Sequence, residues 1–334
     1  MVDCKRLFLV ACIGLVLIGP TACWFTDTGG GFVEWSEEES GVTADLHGIW
    51  GVSVEDIWAV GDSGTIIHFD GVTWSSADSA TSADLTDVWG TADNNVWAVG
   101  GYDENKGVIL HYNGERWSEI INQVGQKLFA IWGSKATDIW TLGGADQKTL
   151  LLHFNGSSWQ MVNVPGSMTL GRDIWGDGFG NVFVTTAGNV AKYDGASWTI
   201  LDEGFEAARP AFTVWGASTD NLYVAGSNSI VRHWDGSKWS NSLQFNLETG
   251  FDLQFHSIWG SSADNLFAVG VLMGTTEEKP YKSYVAGTRI YYSNGKGWTR
   301  HQTADIDTAL YDVWGASDSE IWAVGQSGKI LSFW

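Results

Sequence analysis

Residues Leu46–Trp74 read LHGIWGVSVEDIWAVGDSGTIIHFDGVTW, and variants of this stretch return through the rest of the chain. Its Trp-Gly pair recurs at Trp50, Trp89, Trp132, Trp175, Trp215, Trp259 and Trp314, seven copies spaced by 39, 43, 43, 40, 44 and 55 residues. Eight residues after each Trp stands a second aromatic: Trp58, Trp97, Trp140, Phe183, Tyr223, Phe267 and Trp322. A third Trp closes six copies, at Trp74, Trp117, Trp159, Trp198, Trp239 and Trp298. It always follows an Asp-Gly or Asn-Gly pair such as Asp70-Gly71 or Asn113-Gly114. Such pairs are strong hairpin markers, because a type I′ turn needs two residues at positive φ.

Each copy therefore reads as four strands, A to D. Strand A ends at Trp-Gly, strand B is like Ile57–Val60, strand C is like Thr65–Phe69, and strand D opens on the third Trp. Strand B is apolar at nearly every position, so both faces of its sheet are expected to be buried. A β-propeller blade meets that condition, being packed between two neighbours, and a period near 40–45 residues fits a four-stranded blade. The aromatic slots would fill the wedges between blades. Kelch repeats have a longer period and a Gly-Gly mark missing here, and a solenoid would need capping repeats. The expected fold is all-β: a seven-bladed propeller of four-stranded antiparallel blades.

The seventh copy runs through A, B and C to Phe333-Trp334 and has no strand D. Near the other end, Phe32–Ser36 (FVEWS) carries a Trp with no A, B or C before it. Phe32–Glu37 is expected to pair beside Lys329–Phe333 and close the ring, with Trp35 as the missing third-slot Trp. Of the 21 Trp, only Trp24, Trp234 and Trp334 then fall outside the repeat slots.

Residues 1–23 read as an export signal. Lys5-Arg6 precede the 13-residue apolar run Leu7–Gly19, which is too short to span a bilayer and fits a signal h-region. The Ala22-Cys23 junction resembles a bacterial lipoprotein signal, which implies a lipid on Cys23 and residues 24–31 as tether to a propeller over 32–334; an ordinary cleaved signal is the alternative. Cys4, Cys12 and Cys23 are the only cysteines, so no disulfide is expected within the folded body. Removing residues 1–23 takes away Lys5, Arg6 and Asp3, leaving 16 basic and 38 acidic residues and a net charge of −22. That charge disfavours nucleic acid and anionic membrane surfaces. Membrane contact is expected only through the lipid, and the chain is placed in the bacterial cell envelope.

Several motifs have bland readings that outweigh sharper ones. Gly61–Gly64 (GDSG) looks like a protease nucleophile motif, yet the same slot reads GQSG at Gly325–Gly328, so it is a B–C turn. His68, His111, His153 and His233 share one repeat position, too far apart across blades to ligate one ion; each is expected to be a hydrogen-bonded structural His. The acidic and amide residues at the A–B turns, such as Glu55-Asp56 and Asn94-Asn95, are expected to form Asx turns. No metal, cofactor or catalytic constellation is evident, and the chain is expected not to be an enzyme; carboxylates converging in the central channel would change that.

Length varies only in the B–C and D–A connections, which share one face of the disc. Insertions fall at Gly101–Lys106, Gly144–Lys148 and, longest, Val271–Gly287, read as a loop. Variable loops on a rigid scaffold are where binding usually resides. Tyr102, Asp103, Glu104, Glu277, Glu278, Tyr281 and Tyr284 are the expected contacts for a protein partner.

The repeat [VI]WG…[DN]-[VIL]-[WFY]-[AV]-V-G…[HK]-[FYW]-[DN]-G-x-x-W resembles those of secreted bacterial seven-bladed propeller lipoproteins of the broad WD40/YVTN/BNR-like assembly. The resemblance covers residues 32–334 and implies a cell-envelope binding scaffold. The layout is more distantly similar to tectonin-type propeller lectins, which implies a glycan ligand as the alternative, with Trp234 as the residue to inspect. A hydrolase with an unrecognised site is the remote third possibility.

Overall fold

The computed structural model describes residues 35–122, 124–145, 148–202, 210–245, 247, 250–275, 282–301 and 308–334. Within them the chain forms seven four-stranded antiparallel sheets. Six are built from consecutive strands in the order A-B-C-D. The first comprises Leu46–Ser53, Asp56–Gly61, Ile66–Phe69 and Trp74–Ala77. The A strands of neighbouring blades pack on one another around the ring, the last on the first, so strand A lines the axis. The fold is the seven-bladed β-propeller that the repeat implies.

Blade seven takes A, B and C from Leu310–Ser317, Glu320–Gly325 and Ile330–Phe333, and D from Ser36–Glu38. Ser36 faces Ser332, Glu37 faces Leu331 and Glu38 faces Ile330. The expected latch is thus present at its C-terminal end, while Phe32–Glu34 lie outside the described residues. Trp35 is buried at 3% exposure, donates from Nε1 to His301 Nδ1 at 3.3 Å, and packs on Phe267 and Phe333. Lys329 pairs with Glu37, and Trp74 of blade one donates to Glu38 at 2.7 Å, tying the latch to both sides of the seam.

The second aromatic slot is buried in every blade, as its strand requires. The Trp of Trp-Gly is only half-buried, and its partner explains the pairing of these two residues. A Cβ on Gly176 would lie 2.4 Å from Cη2 and Cζ3 of Trp132 in the preceding blade. The same approach joins Trp50 to Gly90, Trp89 to Gly133, Trp175 to Gly216, Trp215 to Gly260, Trp259 to Gly315 and, across the seam, Trp314 to Gly51. Each blade supplies an indole to the next and a glycine to the last.

Four expectations need correction. The C–D hairpins are not type I′ turns. Phe69 pairs with Trp74 across a four-residue loop in which Gly71 alone takes positive φ, while Asp70 Oδ1 accepts the N–H groups of Val72 and Thr73, each at 2.9 Å. The Asp or Asn side chain does what a second positive-φ residue would otherwise do, and those donors hold the Asp70, Asp194 and Asp235 carboxyls below the ordinary range, Asp235 at about 2 through Ser237 and Lys238. Second, strand A runs two residues past Trp-Gly in six blades and ends on it in blade four.

Third, Asp56, Asn95, Asp138 and Asn221 are not Asx-turn residues but open strand B and take the strand-C histidines as partners. Nε2 of His68, His111, His153 and His233 lies 2.7, 2.7, 2.7 and 2.8 Å from them. Each imidazole also packs over the slot-two aromatic of its own blade, with centroids 4.0–4.6 Å apart. These histidines are structural, as read from the repeat. Fourth, Val271–Gly287 is largely not loop: strand B of blade six reaches Thr275 and strand C resumes at Ser283, so a three-stranded ledge with Phe251–Ser262 stands beyond the other blades.

Candidate binding site at the channel mouth

Strand A carries a β-bulge near its start in six blades. In blade one, Leu46 pairs with Gly61 and Gly48 with Val60, which leaves His47 unpaired between them. The bulge brings the backbone oxygen of Asp45 so close that a Cβ on Gly61 would lie 1.9 Å from it. This is why a Gly follows the second aromatic by three residues at Gly61, Gly100, Gly143, Gly226, Gly270 and Gly325. A bulge re-aims the side chain of the extra residue. Here those residues are His47, Thr86, Phe129, Phe212, His256 and Tyr311; in blade four, where Thr186 replaces the Gly, the same place holds Arg172.

These seven side chains surround the channel on the B–C/D–A side. Tyr311 packs between His47 and His256, at centroid distances of 5.1 and 5.5 Å, and Phe212 meets His256 at 6.1 Å. The Arg172 guanidinium sits 5.8 Å over Phe129. They line a cavity of about 170 Å³, enough for one side chain. Arg172 Nε is buried with no hydrogen-bond partner among the described residues. Burial lowers the Arg172 pKa, and Glu104 is the anion that opposes this shift. His256 Nδ1–H donates to the Leu310 carbonyl at 2.9 Å, and burial lowers its pKa, so the ring is neutral.

One residue further along strand A, three carboxylates converge on the same cavity: Asp87, Asp173 and Asp312. Each accepts the N–H of its own successor and one from the next blade. Asp87 takes Val88 and Ile131, both at 2.7 Å; Asp173 takes Ile174 at 2.7 Å and Val214 at 2.8 Å; Asp312 takes Val313 and Ile49, both at 2.9 Å. Ser257 adds a bond to Asp312 at 2.7 Å. These acids clamp adjacent blades, Asp312 across the seam. Desolvation raises all three: Asp173 to about 6, Asp312 to about 7, and Asp87 well above the ordinary range with help from Asp312. Among the described residues no group of three or more His, Cys, Asp or Glu is placed to hold a metal ion.

The sign of the Asp312 effect is testable. Its carboxyl binds a proton more tightly folded than unfolded, so its ionisation lowers stability as pH rises towards and through 7. Asp312→Asn loses an acceptor at every pH but removes that penalty. The stability of the variant relative to the native chain should therefore improve between pH 5 and pH 8, by on the order of 2 kcal/mol in urea melts. A difference that does not change with pH would show that Asp312 is ionised throughout.

None of the contacts expected from sequence lines this cavity, and Glu104 is exposed. Tyr102 is 43% exposed, with its hydroxyl bonded to Thr81 at 2.9 Å and Glu119 at 3.1 Å, and Asp103 pairs with Lys106 at 3.6 Å. Asp103 thus holds its own turn, and Tyr102 ties that turn to the preceding connection and to strand D of its blade. Tyr284 lies on the blade-six ledge, 46% exposed and packed against Gly274. Glu277, Glu278, Tyr281 and Cys23 lie outside the described residues. Sequence reasoning missed the channel ring, whose mark is the Gly three residues after each second aromatic.

No family model and no curated protein matches the chain. Solved structures do. YCF48 bound to D1 peptide is 14% identical over 90% of this chain and 96% of its own, with a TM-score of 0.67. A catalytically inactive virginiamycin B lyase from Staphylococcus aureus with quinupristin is 12% identical over 89% and 98%, TM-score 0.70. The WD40 β-propeller domain of Doa1 is 10% identical over 91% and 97%, TM-score 0.67. At such identities the likeness is one of fold, and the fold it supports is the seven-bladed propeller.

Proposed function

We propose that this propeller is a non-enzymatic scaffold that seats a segment of a protein partner at the channel mouth, on its B–C/D–A face. One observation carries the reading. In a strand whose Ile/Val-Trp-Gly returns in every blade, the channel position three residues before the Trp reads His, Thr, Phe, Arg, Phe, His and Tyr in successive blades. In six blades the bulge turns that side chain out of the sheet and into the channel, so the packing between blades does not dictate what it holds. Aromatic rings and an arginine are also the side chains that anchor protein interfaces. A propeller of similar fold, YCF48, binds a peptide.

The test replaces Arg172 and Tyr311 by Thr, the residue blade two already holds at Thr86. Immobilised protein is exposed to the cell-envelope fraction of its own source. Partners captured by the native chain should be lost by the double variant while its melting temperature stays within a few degrees. Equal capture by both would refute the reading. We further propose that the scaffold is exported and held in the envelope by a lipid on Cys23. Metabolic labelling with an alkyne fatty acid should mark the native chain and not Cys23→Ser.

A second reading, a hydrolase, has one observation in its favour: the three channel carboxyls with raised pKa values beneath Arg172 and His256. Against it, both oxygens of each are engaged by backbone N–H groups.

A further inference from the structure

On the opposite face, the seam between blades four and five departs from the repeat at three places. Phe183 stands where blades one, two, three and seven have Trp, Lys192 where four blades have His, and Trp234 where blades one to four have Phe or Tyr. The consequences are local and physical. In blades one, two, three and five the histidine covers the slot-two aromatic. Blades six and seven lack that histidine, and other rings fill its place. Tyr292 and His301 lie 5.1 and 5.8 Å from Phe267, and Trp334 lies 4.8 Å from Trp322.

Blade four has no such replacement. The Lys192 ammonium sits 5.7 Å over the Phe183 ring, and Asn181, left without an imidazole, turns to Asp177. At earlier seams the slot-two Trp meets the strand-C aromatic of the next blade, as Trp58 meets Tyr112 and Trp97 meets Phe154. Trp234 keeps the repeat's contact with the third-slot Trp of its own blade, Trp239 at 5.5 Å, as Phe69 does with Trp74 and Tyr112 with Trp117, but it is not stacked on Phe183, whose ring neighbour is Trp175. The result is a cavity of about 290 Å³ between the blades, lined by Lys192, Asp194, Thr199, Thr219, Asp220 and Trp234, among others.

We propose that this groove binds a single sugar ring. Trp234 forms one wall. Around it stand an ammonium, a turn carboxylate and two threonine hydroxyls, while Asp194 is committed to the backbone of its own turn. Two carboxylates oppose an anionic ligand, Lys192 opposes a cationic one, and the polar lining opposes an apolar one. A neutral polyol with one apolar face satisfies all three conditions. The volume, about 290 Å³, lies just below the ~300–1,000 Å³ of small-ligand pockets, which fits one ring better than an extended chain. This site is separate from the channel mouth, and its test does not depend on that reading.

The probe is a set of methyl glycosides of glucose, galactose, mannose and N-acetylglucosamine, titrated to tens of millimolar against the purified protein. Contact is read by saturation-transfer NMR and tryptophan fluorescence. The key variant restores the repeat: Lys192→His with Trp234→Tyr, the pair that blade two holds as His111 and Tyr112. At least one glycoside should saturate on the native chain and bind at least tenfold more weakly to the repaired one, whose melting temperature should not fall. If the repaired chain does not fold, Asp220→Ser, the residue blade seven carries at Ser319, should weaken the same glycoside. Absence of saturable binding to the native chain, or equal binding to the variants, would overturn the proposal.

Discussion

Trp35→Ala should destabilise the propeller by about 3–5 kcal/mol, the usual cost of emptying a fully buried Trp site. The side chain sits at 3% exposure against Phe267 and Phe333 and holds His301 through Nε1. Its removal leaves a cavity at the junction of blades six and seven, beside the short strand Ser36–Glu38. That strand has three ladder partners in blade seven and one side-chain bond to blade one. Deleting residues 32–38 should cost more, because it also bares the edge of Ile330–Phe333 and releases Lys329 and Trp74 from their acids. A closed propeller leaves only short, protected edges, so the opened ring should aggregate as well as melt early. Urea melts and light scattering read the two effects separately. Trp198→Ala, at a half-buried site of the same slot in blade four, is the control and should cost less. If the deletion left melting unchanged, Ser36–Glu38 would not be closing the ring.

The blades were legible because burial is periodic in this chain. Strand B must be apolar on both faces, and the eight-residue step from Trp50 to Trp58 reappears in the structure as a cross-strand pair. The latch was legible for the same reason: a lone Trp35 and an incomplete last copy are two halves of one period. The turns were read less well. Asp70-Gly71 has the composition of a type I′ hairpin, and only the bonds from Val72 and Thr73 to the Asp70 side chain show that the loop is longer.

The channel site escaped for a different reason. Tyr102 and Glu277 drew attention because their loops vary in length, whereas His47 sits inside the strand that carries Trp-Gly and Arg172 just before it. In the six bulged blades the side chain faces the axis because of the bulge, whose single trace in the sequence is a glycine on the partner strand. From sequence Gly61 reads as the first residue of the B–C turn, whereas in the structure it ends strand B, where the Asp45 carbonyl excludes a Cβ. The blade-four groove was half legible: Trp234 stood out as an irregular aromatic, but its meaning needs the missing histidine at Lys192 beside it.

The Trp-Gly pair predicts a coupling that composition alone does not. Gly176→Ala should cost about 1–3 kcal/mol, as overpacking does, because the new methyl would meet the Trp132 ring at 2.4 Å. The glycine is not at positive φ, so the backbone itself tolerates alanine and the cost must come from the contact. The indole is half-buried and can swing towards solvent, which bounds the penalty. Trp132→Ala alone loses the same contact from the other side and should also destabilise. In the double variant the methyl no longer meets the ring, although the Asn181 carbonyl remains 2.9 Å from its position. The two losses should therefore fail to add, with a coupling of about 1–3 kcal/mol in a double-mutant cycle. The same cycle on Trp314 and Gly51 should give a similar coupling across the seam, where the chain joins blade one to blade seven only through Ser36–Glu38. Additive losses at both seams would mean that Trp-Gly reflects turn geometry within a blade; coupled losses would make it the contact by which each blade fixes the angle of the next.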